Sequence, residues 1–304
     1  MTESSASNRD TAVVVRDLVK SYGHATAVDG ISFEIRRGET FALLGPNGAG
    51  KSTTIEILEG YRDRTSGEAS VLGQDPRAAG RDWRARLGMV LQSSGESGNV
   101  TVREQLSHFA RMYPHPRDVE ETIAAVGLTE KASTRIKALS GGQRRRVDVA
   151  LGVIGRPELL FLDEPTTGFD PEARREFWEL IRSLKREGTT ILLTTHYLDE
   201  AAQLGDRAGV IAGGRLIDIG AVDEIGGAAA RTPLVRWSDA SGRHEQRTET
   251  PTELVARLHA ETGGELHGLE VVRPSLEDIY LGLVASAGSS DAVRTSASPE
   301  EVAA

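Results

Sequence analysis

The sequence contains no cysteine among its 304 residues. Disulfide bonds and thiolate metal sites are therefore excluded, a composition typical of proteins that work in a reducing compartment. Aromatic residues are also scarce, at 5% of the chain, so aliphatic side chains must supply most of the hydrophobic core. A chain of this length can form one large domain and a smaller one.

Long apolar stretches are missing as well. No segment approaches the roughly 18 consecutive apolar residues that indicate a transmembrane helix. We therefore expect any function at a membrane to depend on a partner. The polar, serine-rich segment 1–10 lacks the apolar core of a secretory signal, and we predict that it is a disordered tail.

An excess of positive charge is the third feature that the chain lacks. Lys and Arg number 36 against 45 Asp and Glu, which gives a net charge of −9. Proteins that bind nucleic acid over a broad surface need a basic face to meet the phosphates. No nucleic-acid partner is therefore expected.

A glycine-rich segment at 45–53 carries the strongest functional signal. It reads Gly-Pro-Asn-Gly-Ala-Gly-Lys-Ser-Thr and fits the phosphate-binding loop pattern Gly-x-x-x-x-Gly-Lys-Ser/Thr. The apolar segment Thr40 to Leu44 before it predicts a buried strand, and Thr53 to Leu58 predicts the start of a helix. Backbone N–H groups of such a loop surround a phosphate, and the helix N-terminus adds to the attraction.

The loop predicts a site for a nucleoside triphosphate with Mg²⁺. Lys51 would bring a full positive charge to the outer phosphates, and the Ser52 hydroxyl is suited to ligate Mg²⁺. The predicted nucleotide-binding residues of the loop are Gly45, Pro46, Asn47, Gly48, Ala49, Gly50, Lys51, Ser52 and Thr53.

Two carboxylates follow a second apolar strand, Leu159 to Leu162. Asp163 is suited to hold Mg²⁺, and Glu164 to orient or deprotonate an attacking water. The alternative is an exposed acidic turn before Pro165. The phosphate-binding loop upstream favours the catalytic interpretation.

A second glycine-containing helix start lies at Leu139-Ser140-Gly141-Gly142-Gln143. Ser140 could cap this helix, and the glycines could expose its N-terminus to an anion. Two interpretations stay open: a simple capped turn, or a site that serves a nucleotide held by another subunit. The run Arg144-Arg145-Arg146 is interpreted as a solvated helix face, with a contact to ATP or a partner as the alternative.

The order of the remaining patterns predicts strands separated by helices, hence a parallel α/β sheet. The predicted strands are 11–18, 31–35 and 189–194, the predicted helices are 102–113, 117–126 and 171–187, and about 93–156 forms a helical subdomain. After a linker at 221–232, the segment 233–284 predicts a small C-terminal domain. Its predicted order is strand 234–237, strand 244–249, helix 252–261, strand 266–272 and helix 275–284. The Ser/Ala-rich segment 285–304 is predicted to be disordered.

Over about residues 11–220, six motifs in order resemble the nucleotide-binding subunits of ATP-binding cassette (ABC) transporters. Besides the loop at 45–53, the signature at 139–143 and the Asp163–Glu164 pair, they include Tyr22, Gln92 and His196. One departure is mild: a loop that usually reads Gly-Leu-Asp has Phe169 at its centre.

The resemblance implies an α/β fold with a RecA-like phosphate-loop ATPase core, an inserted helical subdomain, an antiparallel β subdomain and a small C-terminal α+β domain. It implies that Glu164, His196 and Gln92 act in catalysis, that Ser52, Gln92 and Asp163 bind metal, and that Tyr22 stacks on adenine. It also implies a head-to-tail pair of subunits. In that pair, Ser140, Gly141, Gly142 and Gln143 of one subunit would close over ATP held by the other.

The C-terminal segment narrows the resemblance further. The run from Pro274 to Tyr280 resembles the closing element of the daunorubicin-resistance type of ATP-binding subunit. This implies export of a drug, natural product or lipid through a separate membrane permease, with this chain bound peripherally at the cytoplasmic face of the cell membrane. The alternatives are an ABC ATPase of DNA repair, translation or iron–sulfur assembly, and another phosphate-loop enzyme such as a kinase. The chain lacks the long coiled coils or second cassette of the first two types, and the signature at 139–143 has no role in a kinase.

Overall fold

The computed structural model describes residues 10–90, 99–239 and 241–295. The chain divides into two compact units, Met1–Val222 and Asp223–Ala304. The predicted N-terminal tail lies, apart from Asp10, outside the described residues, and so does Gln92.

The first unit alternates strands and helices along most of its length. Its strands are β1 (Thr11–Tyr22), β2 (Ala25–Arg36), β3 (Thr40–Leu44), β4 (Ser66–Val71), β5 (Leu87–Val90), β6 (Leu159–Asp163), β7 (Thr190–Thr195), β8 (Arg207–Ala212) and β9 (Arg215–Ala221). Its helices are α1 (Lys51–Leu58), α2 (Arg81–Arg84), α3 (Val102–Ala110), α4 (Val119–Ala125), α5 (Gly141–Val153), α6 (Pro171–Arg186) and α7 (Leu198–Leu204).

The central sheet has the strand order β5-β6-β7-β3-β8-β9. Neighbours from β5 to β8 run parallel, and β9 is antiparallel to β8. Every residue of β3, β6 and β7 is buried, as expected for strands covered on both faces. The predicted parallel α/β sheet is confirmed, and the carboxyl ends of β6, β7 and β3 lie side by side at one edge.

A second sheet, in the order β2-β1-β4, is antiparallel. Its buried residues alternate with exposed ones along β2, which is the pattern of a sheet with one face on the core. Phe33 of β2 stacks on Phe41 of β3 with ring centroids 5.3 Å apart. This contact joins the two sheets. The antiparallel sheet is the β subdomain that the family resemblance implied.

The helices between β5 and β6 contribute Leu106, Ile123 and Val147 to an apolar cluster that continues to the central sheet at Leu160 and Leu193. Helix α3 begins with a capping box formed by Thr101 and Glu104, which satisfies N–H groups that the first helical turn leaves unpaired. Both α3 and α4 fall within the predicted helical patterns and end before the predicted limits.

The second unit contains the antiparallel sheet β11-β10-β12 and three helices among its described residues. The elements are α8 (Gly227–Arg231), β10 (Leu234–Asp239), β11 (Gly242–Arg247), α9 (Pro251–Thr262), β12 (His267–Val272) and α10 (Leu276–Thr295). The predicted order of strands and helices in 233–284 is the one observed.

Two stretches of this unit differ from the sequence expectation. The segment predicted as a linker, 221–232, contains helix α8, and α10 continues to Thr295 into the segment predicted as a disordered tail. Alanine is the best helix former, and both segments are rich in it. A side chain at Gly226 would place its Cβ 2.3 Å from Ile279 Cγ2, so glycine is needed where α8 meets α10.

Within the described ranges, no helix is both long and apolar enough to cross a membrane.

Candidate nucleotide-binding and catalytic site

The glycine-rich loop connects the end of β3 to the start of α1, which confirms the strand–loop–helix setting predicted from the sequence. Gly50 has φ 105°, and no side chain caps the helix there. A Cβ at Gly50 would lie 2.4 Å from the Ala27 carbonyl oxygen, and one at Gly45 would lie 2.3 Å from the Ile211 carbonyl oxygen. Backbone conformation and close packing therefore both require glycine in this loop.

Lys51, the first residue of α1, is 5% exposed. Its Nζ donates hydrogen bonds to the carbonyl oxygens of Gly45 at 2.7 Å and Pro46 at 3.1 Å. Burial lowers the pKa of Lys51, while the carboxylates of Glu164 and Asp163 act to raise it. The ammonium group is thus held against its own loop and faces the acidic pair.

An open cleft lies in front of this loop. It is lined by Ala27, Asn47, Gly48, Gly50, Lys51, Ser52, Thr53 and Glu164. Loop residues and the predicted catalytic Glu164 therefore share one cleft. Hydroxyl and carboxylate oxygens are the ligands that Mg²⁺ prefers, and Ser52 with the nearby Asp163 supplies that chemistry beside a loop suited to phosphate.

The acidic pair stands at the carboxyl end of β6. Asp163 is buried, and its Oδ1 is hydrogen-bonded to the Thr194 hydroxyl of β7. The Glu164 N–H donates to the Thr194 carbonyl oxygen at 3.1 Å and to its Oγ1 at 3.2 Å. Glu164 has φ +47°, a conformation that is uncommon outside glycine and that occurs at functional sites. Thr194 thus fixes both acidic residues, a role that the sequence reading did not assign to it.

His196 follows β7 directly, as the sequence pattern predicted. Its Nδ1 lies 3.3 Å from Glu164 Oε2, and 41% of its side chain is exposed. The ring packs against Tyr197 with centroids 4.1 Å apart. The fold therefore brings together His196 and Glu164, which lie far apart in the sequence.

The signature segment lies at the start of α5. Ser140 is the N-cap: its Oγ accepts from the Gln143 N–H at 3.2 Å, and Gln143 Oε1 accepts from the Ser140 N–H at 3.1 Å. Ser140 and Gly141 are exposed, and no residue of 139–143 belongs to the lining of the cleft. Within one chain, the structure does not bring the signature to the phosphate loop.

Arg145 of α5 is a residue that the sequence analysis misjudged. It is buried, and its guanidinium donates to the carbonyl oxygens of Asp163 at 2.8 Å, Glu164 at 3.3 Å and Pro165 at 3.0 Å. Burial lowers its pKa, and nearby carboxylates act to raise it. Arg145 is therefore not part of a solvated face and does not line the cleft; it ties α5 to the loop that carries Asp163 and Glu164.

A signal for this role was present in the sequence. Arg145 is spaced by four residues from Val149 and by eight from Val153, and all three are buried on one face of α5. The neighbouring Arg146 instead forms an ion pair of 2.7 Å with Glu176.

Tyr22 ends β1 and is 43% exposed. Lys20 Nζ lies 4.9 Å and Arg62 Cζ 5.4 Å from the centroid of its ring. Tyr22 does not belong to the cleft lining, so its predicted stacking on adenine stays a prediction. Gln92 lies outside the described residues.

Comparisons with known proteins agree with this geometry. The family model described as ABC transporter matches residues 28–167. The chain is 39% identical to the Nod factor export ATP-binding protein I of Ralstonia nicotianae, over 88% of this chain and 92% of that protein. It is 35% identical to the daunorubicin/doxorubicin resistance ATP-binding protein of Streptomyces peucetius, over 96% of this chain and 98% of that protein.

Solved structures show the same fold. An ATP-binding subunit of an ABC transporter has a TM-score of 0.69 at 25% identity and covers 90% of this chain and 99% of its own. The cbiO1 protein of Clostridium perfringens, part of the cbiONQ ABC transporter complex, has a TM-score of 0.62 at 29% identity. That match covers 70% of this chain and 89% of the other.

Proposed function

The chain belongs to the ATP-binding subunits of ABC transporters, and we propose that it drives export of a drug, natural product or lipid through a separate membrane permease. The family's activity is ATP hydrolysis coupled to transport. The observation that carries the proposal of export is the similarity, over about nine tenths of this chain, to two proteins named for Nod factor export and for daunorubicin/doxorubicin resistance. Nothing in those names points to DNA repair, translation or iron–sulfur assembly.

We propose the roles of the site residues from the family resemblance, and the cleft that the phosphate loop shares with Glu164 supports them. ATP supplies the phosphoanhydride bond that is broken, and Mg²⁺ neutralises charge on its phosphates. Lys51 and the loop N–H groups would hold the phosphates, while Ser52, Asp163 and Gln92 would hold the metal. Glu164 orients or deprotonates water, and His196, 3.3 Å from Glu164, helps to position it.

We infer further that the functional site is shared between two copies of this chain. The N-terminus of α5 supports this inference, because it is exposed and capped and because no residue of α5 lines the cleft of its own chain. In a head-to-tail pair, Ser140, Gly141, Gly142 and Gln143 of one copy close over the nucleotide bound by the other. ATP then favours the closed pair because it binds that state better than the open one.

Complementation between two inactive variants tests the shared site. Lys51→Ala damages the phosphate loop, and Ser140→Ala damages the signature. In a mixed dimer of the two, one site combines both defects, whereas the other has an intact loop and an intact signature. Random mixing makes half of the dimers mixed, so ATPase activity should recover to about a quarter of the unmodified level.

The matched control is the double variant Lys51→Ala/Ser140→Ala mixed with the unmodified chain. Each site of that mixed dimer carries one defect, so mixing should give no activity beyond that of the unmodified dimers present. Unmodified dimers are a quarter of the total, so the control should show about a quarter of the unmodified activity, whereas sites formed within single chains would leave about half. Failure of the two single variants to recover any activity on mixing, or control activity near half, would contradict the shared site.

The C-terminal unit is proposed to act in assembly with the permease or with the second copy. Its helix α10 begins at the Pro274 to Tyr280 segment, where Ser275 Oγ and the Ser275 N–H donate to Asp278 Oδ2 at 2.7 and 2.8 Å. A chain shortened by deletion of 233–304 should bind ATP but co-purify less with an integral membrane protein than the full chain does. Equal recovery of the membrane protein by both chains would contradict this role, and its recovery by neither would contradict the proposal of a transporter subunit at the cytoplasmic face.

A further inference from the structure

Glu200 of α7 is an acidic residue to which the roles proposed above give no function. It lies four residues after His196 and is 0% exposed. Neither carboxylate oxygen has a hydrogen-bond partner among the described residues. An unsatisfied buried polar group costs about 1–3 kcal/mol, and more when it is charged. A group held at this cost calls for an explanation other than stability.

The surroundings of Glu200 come from the segments that carry the reacting residues. Burial raises the pKa of its carboxyl group, and the Thr195 hydroxyl, the Thr166 hydroxyl and the Trp178 indole act to lower it, since they lie close to the carboxyl group although none completes a hydrogen bond of standard geometry with it. The Arg174 guanidinium lowers it as well. Thr195 is the residue before His196, and Thr166 lies two residues after Glu164.

The polar groups around this carboxylate are themselves incompletely paired. Thr166 Oγ1, Trp178 Nε1 and Arg174 Nε are buried without a hydrogen-bond partner in the described part of the chain. Thr195 Oγ1 accepts from the Tyr197 N–H at 2.9 Å and so holds the turn that carries His196. One carboxylate therefore faces donors from β7, from the loop after β6 and from α6.

We propose that Glu200 is a positioning residue that holds the His196 turn and the Glu164 loop at their working separation, through Thr195 on one side and Thr166 on the other. The separation concerned is the 3.3 Å between His196 Nδ1 and Glu164 Oε2. Glu200 does not line the cleft, so it acts on hydrolysis through its neighbours. Distances between reacting groups affect rates steeply, because a displacement of about 1 Å can cost 100-fold.

The first test separates turnover from binding and from stability. Glu200→Gln keeps the size of the side chain and replaces the ionisable carboxyl group with a neutral amide. We expect kcat for ATP to fall about tenfold, KM to stay within about twofold, and the unfolding temperature to be unchanged or higher, since the variant no longer buries an unpaired carboxylate. Glu200→Asp should recover less than full activity because the shorter side chain cannot span both threonines.

The matched control is Glu39→Gln. Glu39 is also buried but lies before β3, at the opposite end of the sheet, and pairs with Arg207 at 3.2 Å. The Glu39→Gln variant should have a lower unfolding temperature than the unmodified chain and the same kcat for ATP. If Glu200→Gln keeps kcat within twofold, or loses it only at temperatures where the chain unfolds, the positioning role is wrong.

A spectroscopic test uses Trp178 as a reporter. The sequence has three tryptophans, so protein labelled with 5-fluorotryptophan gives a simple ¹⁹F spectrum, in which Trp178→Phe identifies the Trp178 signal. In a Glu164→Gln background, ATP should shift this signal but not that of Trp83, whose indole N–H donates to the Val71 carbonyl oxygen at 2.8 Å in the core. Glu200→Gln should abolish the shift. A shift that persists unchanged in Glu200→Gln would overturn the proposed link.

Discussion

The starts of α1 and α5 both carry glycine, at Gly50 just before α1 and at Gly141 in the first position of α5, and they are built differently. At the start of α1, Gly50 has φ 105° and no side-chain cap, and Lys51 and Ser52 line the cleft. At the start of α5, Ser140 and Gln143 form a capping box, so two donors of that helix end are already satisfied within the chain. The start of α1 leaves its backbone N–H groups without a side-chain cap beside the cleft, whereas the start of α5 is capped within the chain and exposed.

The surroundings of the two helix starts explain the difference. Opposite the phosphate loop, the adjacent ends of β6 and β7 carry Asp163, Glu164 and His196. Opposite Gly142 stands a side chain of the same subunit, since a Cβ there would lie 4.0 Å from Phe169 Cδ1. A glycine at a helix start therefore does not define a site; the charged groups that the fold places across from it do.

The largest effect is expected on the phosphate-loop side, from Glu164→Gln. The variant keeps the cleft and Lys51, so ATP should still bind, but it cannot accept a proton from water. The turnover rate should fall about 10³-fold, within the range of general-base catalysis. Steady-state ATP hydrolysis and equilibrium nucleotide binding measure the two effects separately.

Glu158→Gln provides the matched control, because Glu158 stands at the other end of β6, where it pairs with Arg86 at 2.6 Å. It should change stability slightly and leave hydrolysis in place. Retention of more than a tenth of the activity in Glu164→Gln would contradict the assignment of the catalytic carboxylate.

The second prediction concerns the far end of α1, where Glu59 is buried. Burial raises the pKa of Glu59 to about 8 from 4.5, and the charges of Asp163 and Glu56 add to the rise. The folded chain therefore binds one proton more than the unfolded chain between those values, so the free energy of unfolding should fall as pH rises from about 4.5 to about 8. By pH 8, Glu59→Gln should be more stable than the unmodified chain by about 3 kcal/mol, and its pH slope should be flatter.

Denaturant unfolding at several pH values between 5 and 9 checks this expectation. Glu120→Gln is the comparison variant, because Arg103 lowers the pKa of that exposed residue, and the fall in stability should remain in it. A free energy of unfolding that rises over the same pH range in the unmodified chain, but not in Glu59→Gln, would contradict the prediction. If the prediction is confirmed, Glu59 at the end of the phosphate-loop helix destabilises the folded chain when its carboxyl group is ionised.

The third prediction is a loss of ATP affinity in Lys51→Ala. Charge-assisted hydrogen bonds are worth about 1.5–3 kcal/mol, so binding should weaken about 10- to 100-fold. The fold should persist, because the side-chain hydrogen bonds that Lys51 forms among the described residues go to Gly45 and Pro46 of its own loop. Titration with a fluorescent nucleotide measures the affinity, and the exposed Lys131→Ala is the control. Equal ATP affinity in Lys51→Ala and Lys131→Ala would mean that the phosphates do not bind at Lys51.

Local patterns predicted the phosphate-loop side well because its information is contiguous. The apolar run of β3, the glycines and Lys51 stand next to one another, and the predicted helix α6 begins at Pro171 as expected. Thr194 and Arg145 were missed because their partners lie 31 and 18 residues away, in contacts that only the folded sheet creates. The short strands β5, β8 and β9 were missed because neighbours in the sheet stabilise them more than their own pattern does.

The smallest effect on stability is expected at the second helix start. Ser140→Ala removes the N-cap of α5, and Thr101→Ala removes the equivalent cap of α3, where the same type of capping box occurs. Each should lower the free energy of unfolding by about 1 kcal/mol, and neither should change ATP binding to a single chain. The rate of ATP hydrolysis by the dimer should distinguish the two variants, because only Ser140 would contact the nucleotide that the second copy holds. Equal hydrolysis in the two variants would reduce Ser140 to a cap, and weaker ATP binding by the monomeric Ser140→Ala chain would mean that the signature acts within its own subunit.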